Sequence, residues 1–409
     1  MRKPGSRLLI YSHDSFGLGH LRRCRAIAHD LVERWQQLSV LILSGSPIIG
    51  SFEFKSRVDF VRVPGVIKLR NGEYTSLSLH VDLETTLAMR SSIIQHTAEI
   101  FEPHLFLVDK EPLGLRGEVK PALELLRSRG VRCVLGLRDV MDEPQSLIEE
   151  WERKGVFPEL DRLYDEIWVY GLPELFDPVA EIPGLRAVAH KIRFTGYLRR
   201  ELPGETAPSA DYLLPSEPYV LVTTGGGGDG GELIDWVLRA YEADPELPHP
   251  AVILFGPFLP AEERAQFQER VARDPRLRAI TFEARVEPLF ERALGVVAMG
   301  GYNTFCEILS FGKPALLVPR TEPRLEQLIR AERAHAAGLV RLLPRSRDND
   351  PLRMAYMLRA LPHVPVADRA VRARMLTGLD RIADLAAPYL DVARRSRTAR
   401  RSDLARAAG

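Results

Sequence analysis

Apolar residues come in short unbroken runs, Leu8–Tyr11, Val40–Leu43, Phe106–Val108, Cys133–Leu137 and Ile167–Val169, separated by longer stretches with helical spacing. A second series follows at Tyr219–Val222, Val252–Phe255, Ile280–Phe282, Val296–Ala298 and Ala315–Val318. Apolar runs without alternation predict strands buried on both faces. Their separation by helical segments predicts parallel pairing through βαβ units. The chain therefore reads as α/β, with two doubly wound, Rossmann-like domains and a cleft between them. The segment ELPGETAPSADYLLPSEP, 201–218, is rich in Pro, Ser and Gly and reads as the linker. The layout expected is a first domain over 1–200, a second over 219–345, helices within 346–390 (Asp350–Ala360 and Val366–Ala387) and a basic tail over 391–409.

In open parallel sheets ligands gather at the carboxyl ends of the strands, so the loops just after each run carry the candidate chemistry. The densest is MGGYNTFCEILSFGKPALLVPRTEPRLEQ, Met299 to Gln327. It reads as a two-glycine turn, a short helix bearing Glu307, a buried strand ending at Pro319 and the pair Glu326–Gln327. A carboxylate at Glu307 can accept two hydrogen bonds from a vicinal diol such as a ribose. Backbone N–H groups of Gly300, Gly301 and Tyr302 at the helix start favour an anion.

The second domain opens with YVLVTTGGGGDGGELIDWVLRAY. Thr224 and the glycines Gly225, Gly226, Gly227 and Gly228 let the backbone approach a diphosphate. Gly225, Gly227 and Gly230 match G-x-G-x-x-G, but the next strand ends in Phe255–Gly256 without an acid, which argues against a dinucleotide site. The first domain opens with LLIYSHDSFGLGHLRRCRAIAHDLV, where Gly17, Gly19 and His20 sit between a strand and a helix. A neutral His20 at a helix N-terminus is either a general base or a ring satisfied by the nearby backbone. Asp109 and Lys110 follow one strand, and Arg138 follows another. They are acceptor-side candidates, Asp109 as a second base, or else solvated loop charges.

Of the 409 residues 45% are hydrophobic, enough for a core in each domain. With 56 Lys and Arg against 55 Asp and Glu, the net charge of +1 exerts no global pull on nucleic acid. Cys24, Cys133 and Cys306 lack metal spacing and read as reduced thiols of a cytoplasmic protein. No apolar run is long enough for a spanning helix. The tail VARRSRTARRSDLARAAG is either solvated or a peripheral contact for anionic lipid.

Gly301, Thr304, Glu307, Pro314, Val318 and Pro319 resemble the G-x-x-T-x-x-E and P-x-x-x-V-P segments of the family 28 glycosyltransferases. The resemblance implies the GT-B fold and transfer of a hexose or N-acetylhexosamine from a UDP-sugar, inverting and without a metal. No D-x-D pair stands at an expected cleft position. By this resemblance Glu307 binds the UDP ribose, and Asn303 and Thr304 share that element. Glu326 and Gln327, aligned with a pair of glutamines, contact donor-sugar hydroxyls. Val286 reads the uracil edge through its backbone, and Arg200, in FTGYLRR, approaches the diphosphate. The string D-S-F-G-L-G-H-x-x-R-C is similar to the UDP-sugar hydrolase of pseudaminic acid synthesis. Both families make the histidine the base, toward an acceptor hydroxyl or toward water. The co-substrate expected is a UDP-sugar with no further cofactor; the acceptor, lipid-linked or soluble, stays open. A nucleotide-sugar binding module without catalysis and a 2-epimerase fit the same fold.

Overall fold

The computed structural model describes residues 5–13, 18–68, 74–202 and 214–391. Gly17, with the Asp14–Gly17 part of its motif, lies outside the described residues, as do most of the linker and the basic tail.

The first sheet holds β1 (Arg7–Ser12), β2 (Ser39–Ser44), β3 (Val58–Arg62), β6 (Leu105–Asp109), β7 (Arg132–Arg138), β8 (Glu166–Tyr170) and β9 (Ile192–Phe194). Their order is β3-β2-β1-β6-β7-β8-β9, all parallel. A small antiparallel pair, β4 (Val66–Lys68) and β5 (Tyr74–Ser76), stands apart. The second sheet holds β10 (Val220–Thr223), β11 (Ala251–Leu254), β12 (Leu277–Ile280), β13 (Gly295–Ala298), β14 (Ala315–Leu317) and β15 (Arg341–Leu342). It runs β12-β11-β10-β13-β14-β15, again all parallel. Both are doubly wound sheets, as the apolar runs predict.

The strand order reverses at one place in each sheet, and that place builds the site. In the first, Ser12 at the end of β1 lies beside Asp109 at the end of β6. The connections leaving these strands diverge there, so His20 and Asp109 meet although 89 residues separate them. In the second, Thr223 of β10 pairs with Ala298 of β13. The glycine loop and the Gly300–Gly301 turn therefore emerge side by side.

Three details differ from the pattern read along the chain. The third strand of the second sheet is Leu277–Ile280. Phe282 lies beyond it and packs edge-on against Phe52 of the first domain, with ring centroids 5.9 Å apart. Its apolar character serves the domain interface rather than the sheet. Strands β3, β9 and β15 are short or partly exposed edge members that leave no apolar run. The helix read over Val366–Ala387 is two, Arg369–Met375 and Gly378–Leu390. The break forms because the chain pairs there with the segment that leaves the first sheet. Tyr197 N donates to Met375 O (2.8 Å), Gly378 N to Tyr197 O (3.0 Å) and Thr377 Oγ1 to Thr195 O (2.9 Å). The last helix thus returns to the first domain, where Ser6 Oγ donates to Leu390 O and Arg34 to Asp380 (2.5 Å). Helix Pro351–Ala360 stays with the second, where Trp236 Nε1 donates to Asp350 O (2.8 Å) at its start.

Buried apolar clusters fill each domain, and one runs through both by way of Tyr197, Tyr302 and Phe305. Ion pairs close the interface above it. Arg330 forks onto Asp139 (2.6 and 2.9 Å), both almost fully buried, and donates to Gly300 O (3.0 Å). Arg324 reaches Asp142 and Glu150, each at 3.1 Å.

Candidate functional site

Helix Gly19–Arg34 buries Leu21, Arg23, Cys24, Ile27, Ala28 and Leu31, the spacing of an amphipathic helix laid on the sheet. No side chain caps its start. His20 and Arg23, three apart, share a face and meet Asp109. Arg23 donates to both Asp109 oxygens, Nε at 2.8 Å and Nη2 at 2.5 Å. His20 Nδ1 lies 2.5 Å from Oδ2 of the same carboxylate. Asp109 has no exposed surface and accepts only, so Nδ1 carries the proton and Nε2 is the ring's basic nitrogen. Burial pushes the His20 pKa down to about 4 against the opposing pull of Asp109. Burial resists ionisation of Asp109, but Arg23 and His20 outweigh it and hold the carboxyl well below its usual range. Tyr170 and Tyr302, one from each domain, flank the Arg23 guanidinium at 5.9 and 5.4 Å. Asp109 is therefore not a second base open to the cleft. Both its oxygens are spent on its neighbours.

Across the cleft, helix Tyr302–Phe311 buries eight of its ten residues, Glu307 among them. Gly300 turns at φ 84° to start it and Gly312 at φ 58° to end it, a conformation that favours glycine. Its N-cap is Gly301, which has no side chain to occupy the first-turn N–H groups. Asn303 does not face an open site: its amide donates to Gly19 O (2.9 Å) and accepts from Arg200 Nη2 (2.8 Å), tying the two domains. Thr304 is almost wholly buried in the same turn. Glu307 is 1% exposed and accepts a short charge-assisted hydrogen bond from Arg22 Nη2 of the first domain. Burial raises its pKa while Arg22 opposes.

Beside Glu307 lies a small cavity of about 20 Å³ lined by Leu254, Phe282, Val286 and Phe290, with Leu18 and Phe52 closing it from the first domain. Gly225 and Gly256 form its floor toward the glycine loop. Gly227 adopts φ 89°, and a Cβ there would stand 2.3 Å from Phe255 O, so the two loops pack backbone to backbone. Gly226 O accepts from Phe258 N (3.0 Å) in the same contact. Gly228 continues the loop and is exposed. Thr224 donates its hydroxyl to Phe255 O (2.7 Å), so it braces the loop.

Glu326 and Gln327 open helix Glu326–Ala336 and are both buried. Burial resists ionisation of Glu326, but Arg138 and Arg320 outweigh it. Oε1 accepts from Arg320 (2.9 Å) while Oε2 is shielded and unpartnered. The Gln327 amide donates to Met299 O (3.1 Å) and accepts from Arg320 Nε (3.3 Å), so it braces the turn before Gly300. Arg320 also pairs with Asp229 of the glycine loop. Lys110 adopts φ 69° and pairs with Glu111 (3.2 Å). Arg138 is pushed down to about 10, chiefly by burial.

Reading the chain alone does not bring out Arg22, Arg320, Arg330 or Phe52, and it shows Arg23 only as the R of the D-S-F-G-L-G-H-x-x-R-C string, without a role. Arg23 has a signal in its spacing from His20; the others become visible only when the domains close. Arg200 lines a separate cavity behind Asn303 and is not among the residues lining the one beside Glu307. Among the described residues no cluster of three His, Cys, Asp or Glu could hold a metal. No described helix is long and apolar enough to cross a membrane.

Residues 220–351 match the glycosyltransferase family 28 C-terminal domain. An uncharacterized glycosyltransferase of Methanosarcina acetivorans is 23% identical over 80% of this chain and 83% of its own length. Acinetobacter baumannii MurG superposes with a TM-score of 0.56 at 14% identity, covering 93% of this chain and 99% of its own. Medicago truncatula UGT71G1, complexed with UDP-glucose, gives 0.62 at 14% identity, covering 94% and 98%. The second domain is thus a family 28 glycosyltransferase C-terminal domain, and the chain is a glycosyltransferase of GT-B architecture.

Proposed function

We propose that the enzyme transfers a hexose or N-acetylhexosamine from a UDP-sugar to an acceptor hydroxyl with inversion at the anomeric carbon. The observation that carries this reading is His20, held by Asp109 and Arg23, opposite a helix start that presents Glu307 and uncapped N–H groups. His20 is neutral at pH 7 and takes the acceptor proton on Nε2 as the hydroxyl attacks. Asp109 stabilises the imidazolium as it forms. The bond to the UDP oxygen breaks on the opposite face. The leaving diphosphate is stabilised by N–H groups of Gly226–Gly228 and of the Gly300–Tyr302 turn, together with the helix dipole. The apolar side chains of Leu254, Val286 and Phe290 offer a face for a flat pyrimidine, for which the small cavity between them must widen, and Glu307 suits the ribose diol. Glu326, whose Oε2 has no partner among the described residues, is the group this reading assigns to the sugar hydroxyls, which requires that oxygen to be uncovered when the donor binds.

The test is release of UDP from UDP-glucose, UDP-galactose and UDP-N-acetylglucosamine, with and without candidate acceptors and EDTA, with proton NMR of the product anomer. Loss of all turnover in EDTA refutes the metal-free step, and retention of configuration refutes the single displacement. Fast release of free sugar without any acceptor identifies water as the natural one. A protein that binds UDP-sugars without turnover is a binding module.

A further inference from the structure

A second cavity, of about 350 Å³, lies between helix Gly19–Arg34 and the segments around Arg199–Leu202 and Arg285–Glu287. Most of its charged walls satisfy one another. Arg34 pairs with Asp30 (2.7 Å), Arg199 with Glu201 (2.9 Å), Arg285 with Glu53 (3.5 Å), and Lys55 with Glu33. Arg25 and Arg200 are left over. Arg200 is buried and gives one nitrogen to Asn303, while its Nη1 is shielded from solvent with no acceptor. Arg25 lies over the Phe52 ring at 5.5 Å, and its Nε is likewise shielded and unpartnered. Arg25 titrates below the usual arginine range, chiefly through burial and further through Arg22 and Arg200, with Glu287 opposing. A guanidinium cannot shed its charge to relieve a missing counter-ion, so two arginines on the wall of one cavity, neither in an ion pair with a carboxylate among the described residues, favour an anion.

Arg22 is the one residue that lines both this cavity and the one beside Glu307. Its guanidinium is shared between Glu307 and, at 4.0 Å, Glu287 on the second-cavity side.

We propose that this second cavity is a binding site for a phosphate-class oxyanion, held by Arg25 and Arg200, and that its occupant competes with Glu307 for Arg22. The anion part stands on the cavity and its unpartnered donors alone. The coupling rests on Glu307 being the ribose carboxylate of the proposed function. An anion that draws Arg22 away frees Glu307 for the diol. Linkage then requires UDP and the anion to tighten each other by the same factor.

The experiment is calorimetric titration of the full chain with inorganic phosphate and with pyrophosphate, alone and at saturating UDP, which fills any diphosphate subsite of the donor. Expected is saturable binding that persists with UDP present and weakens at least about tenfold in Arg25→Gln. Arg25→Lys keeps the charge and the packing on Phe52 and provides a folded control with intermediate affinity. Binding abolished by UDP, or equal in wild type and a folded Arg25→Gln, overturns the site. In Glu307→Gln the anion still binds, while the mutual tightening with UDP disappears. Persistence of that tightening overturns the role of Arg22. A chain that binds phosphate at Arg25 but shows no affinity for UDP refutes the donor reading and leaves the anion site standing.

Discussion

Asp109→Asn is the sharpest probe of the catalytic arrangement. The carboxylate accepts three hydrogen bonds, two from Arg23 and one from His20 Nδ1. An asparagine offers one oxygen and one NH₂ group in the same space. If the NH₂ faces His20, Nδ1 must become the acceptor and the ring proton moves to Nε2, which then cannot act as base. If the oxygen faces His20, the NH₂ opposes the Arg23 guanidinium, donor against donor. Either way a hydrogen bond to a charged group is lost in a site without exposed surface, about 1.5–3 kcal/mol. That is roughly 10–150-fold in rate. Moving the ring proton removes general-base catalysis as well, about 10²–10⁴-fold. The expected fall in kcat/KM therefore lies between about 10² and 10⁴, measured as UDP release at saturating acceptor. Leaving Arg23 buried without its counter-ion destabilises the fold by roughly 3–5 kcal/mol, read by denaturant titration. UDP affinity should stay within about twofold, because Asp109 does not line the cavity beside Glu307. Nitrogen NMR of the ring reports the tautomer directly. A folded Asp109→Asn with unchanged kcat/KM and an unaltered His20 tautomer would refute the assignment of His20 as base.

Other predictions test separate parts. Glu307→Gln should weaken UDP binding by roughly 10–100-fold and abolish discrimination against 2′-deoxy-UDP; retained discrimination places the ribose elsewhere. Burial lowers the pKa of His13 and His29 to about 3 and of His20 to about 4. The unfolded chain therefore binds protons below pH 6.5 that the folded chain refuses. Stability should fall as pH drops from 6.5 toward 4, by up to about 1.4 kcal/mol per pH unit for each histidine, and stay flat above 7. Denaturant midpoints between pH 4 and 8 check this; a rise on acidification contradicts it. Asp139→Asn breaks the buried fork to Arg330 between the domains and should cost roughly 3–5 kcal/mol. Small-angle scattering should show wider opening without UDP that closes when UDP is added.

Much of the fold is legible in the chain because parallel strands covered on both faces must be continuously apolar. Edge strands escape that requirement, which is why β3, β9 and β15 leave no mark. The site is legible where chemistry is local. His20 with its glycine turn, the Gly225–Gly228 loop and Glu307 one turn into its helix are contiguous signals. Closure across the cleft is not local. Arg22 on Glu307, Arg330 on Asp139 and Phe282 on Phe52 join residues more than 100 positions apart, and each reads in isolation as an ordinary surface arginine or strand phenylalanine. The same physics reassigns Asn303 and Gln327. Their amides are consumed by the protein, which only three-dimensional accounting of donors and acceptors reveals.

The backbone passes from one lobe to the other near Thr195–Arg200 and back near Met375–Gly378, and these two crossings are zipped to each other. Parallel tethers lashed together act like the leaf of a door hinge: the lobes can swing about one line but cannot slide or tumble independently. Each swing then carries Arg22, Gly19 and Phe52 along a fixed arc onto Glu307, Asn303 and Phe282. Shortening the carboxyl terminus before Gly378 would remove one leaf and, with it, the cover that Ile382, Ala386 and Leu390 give the core.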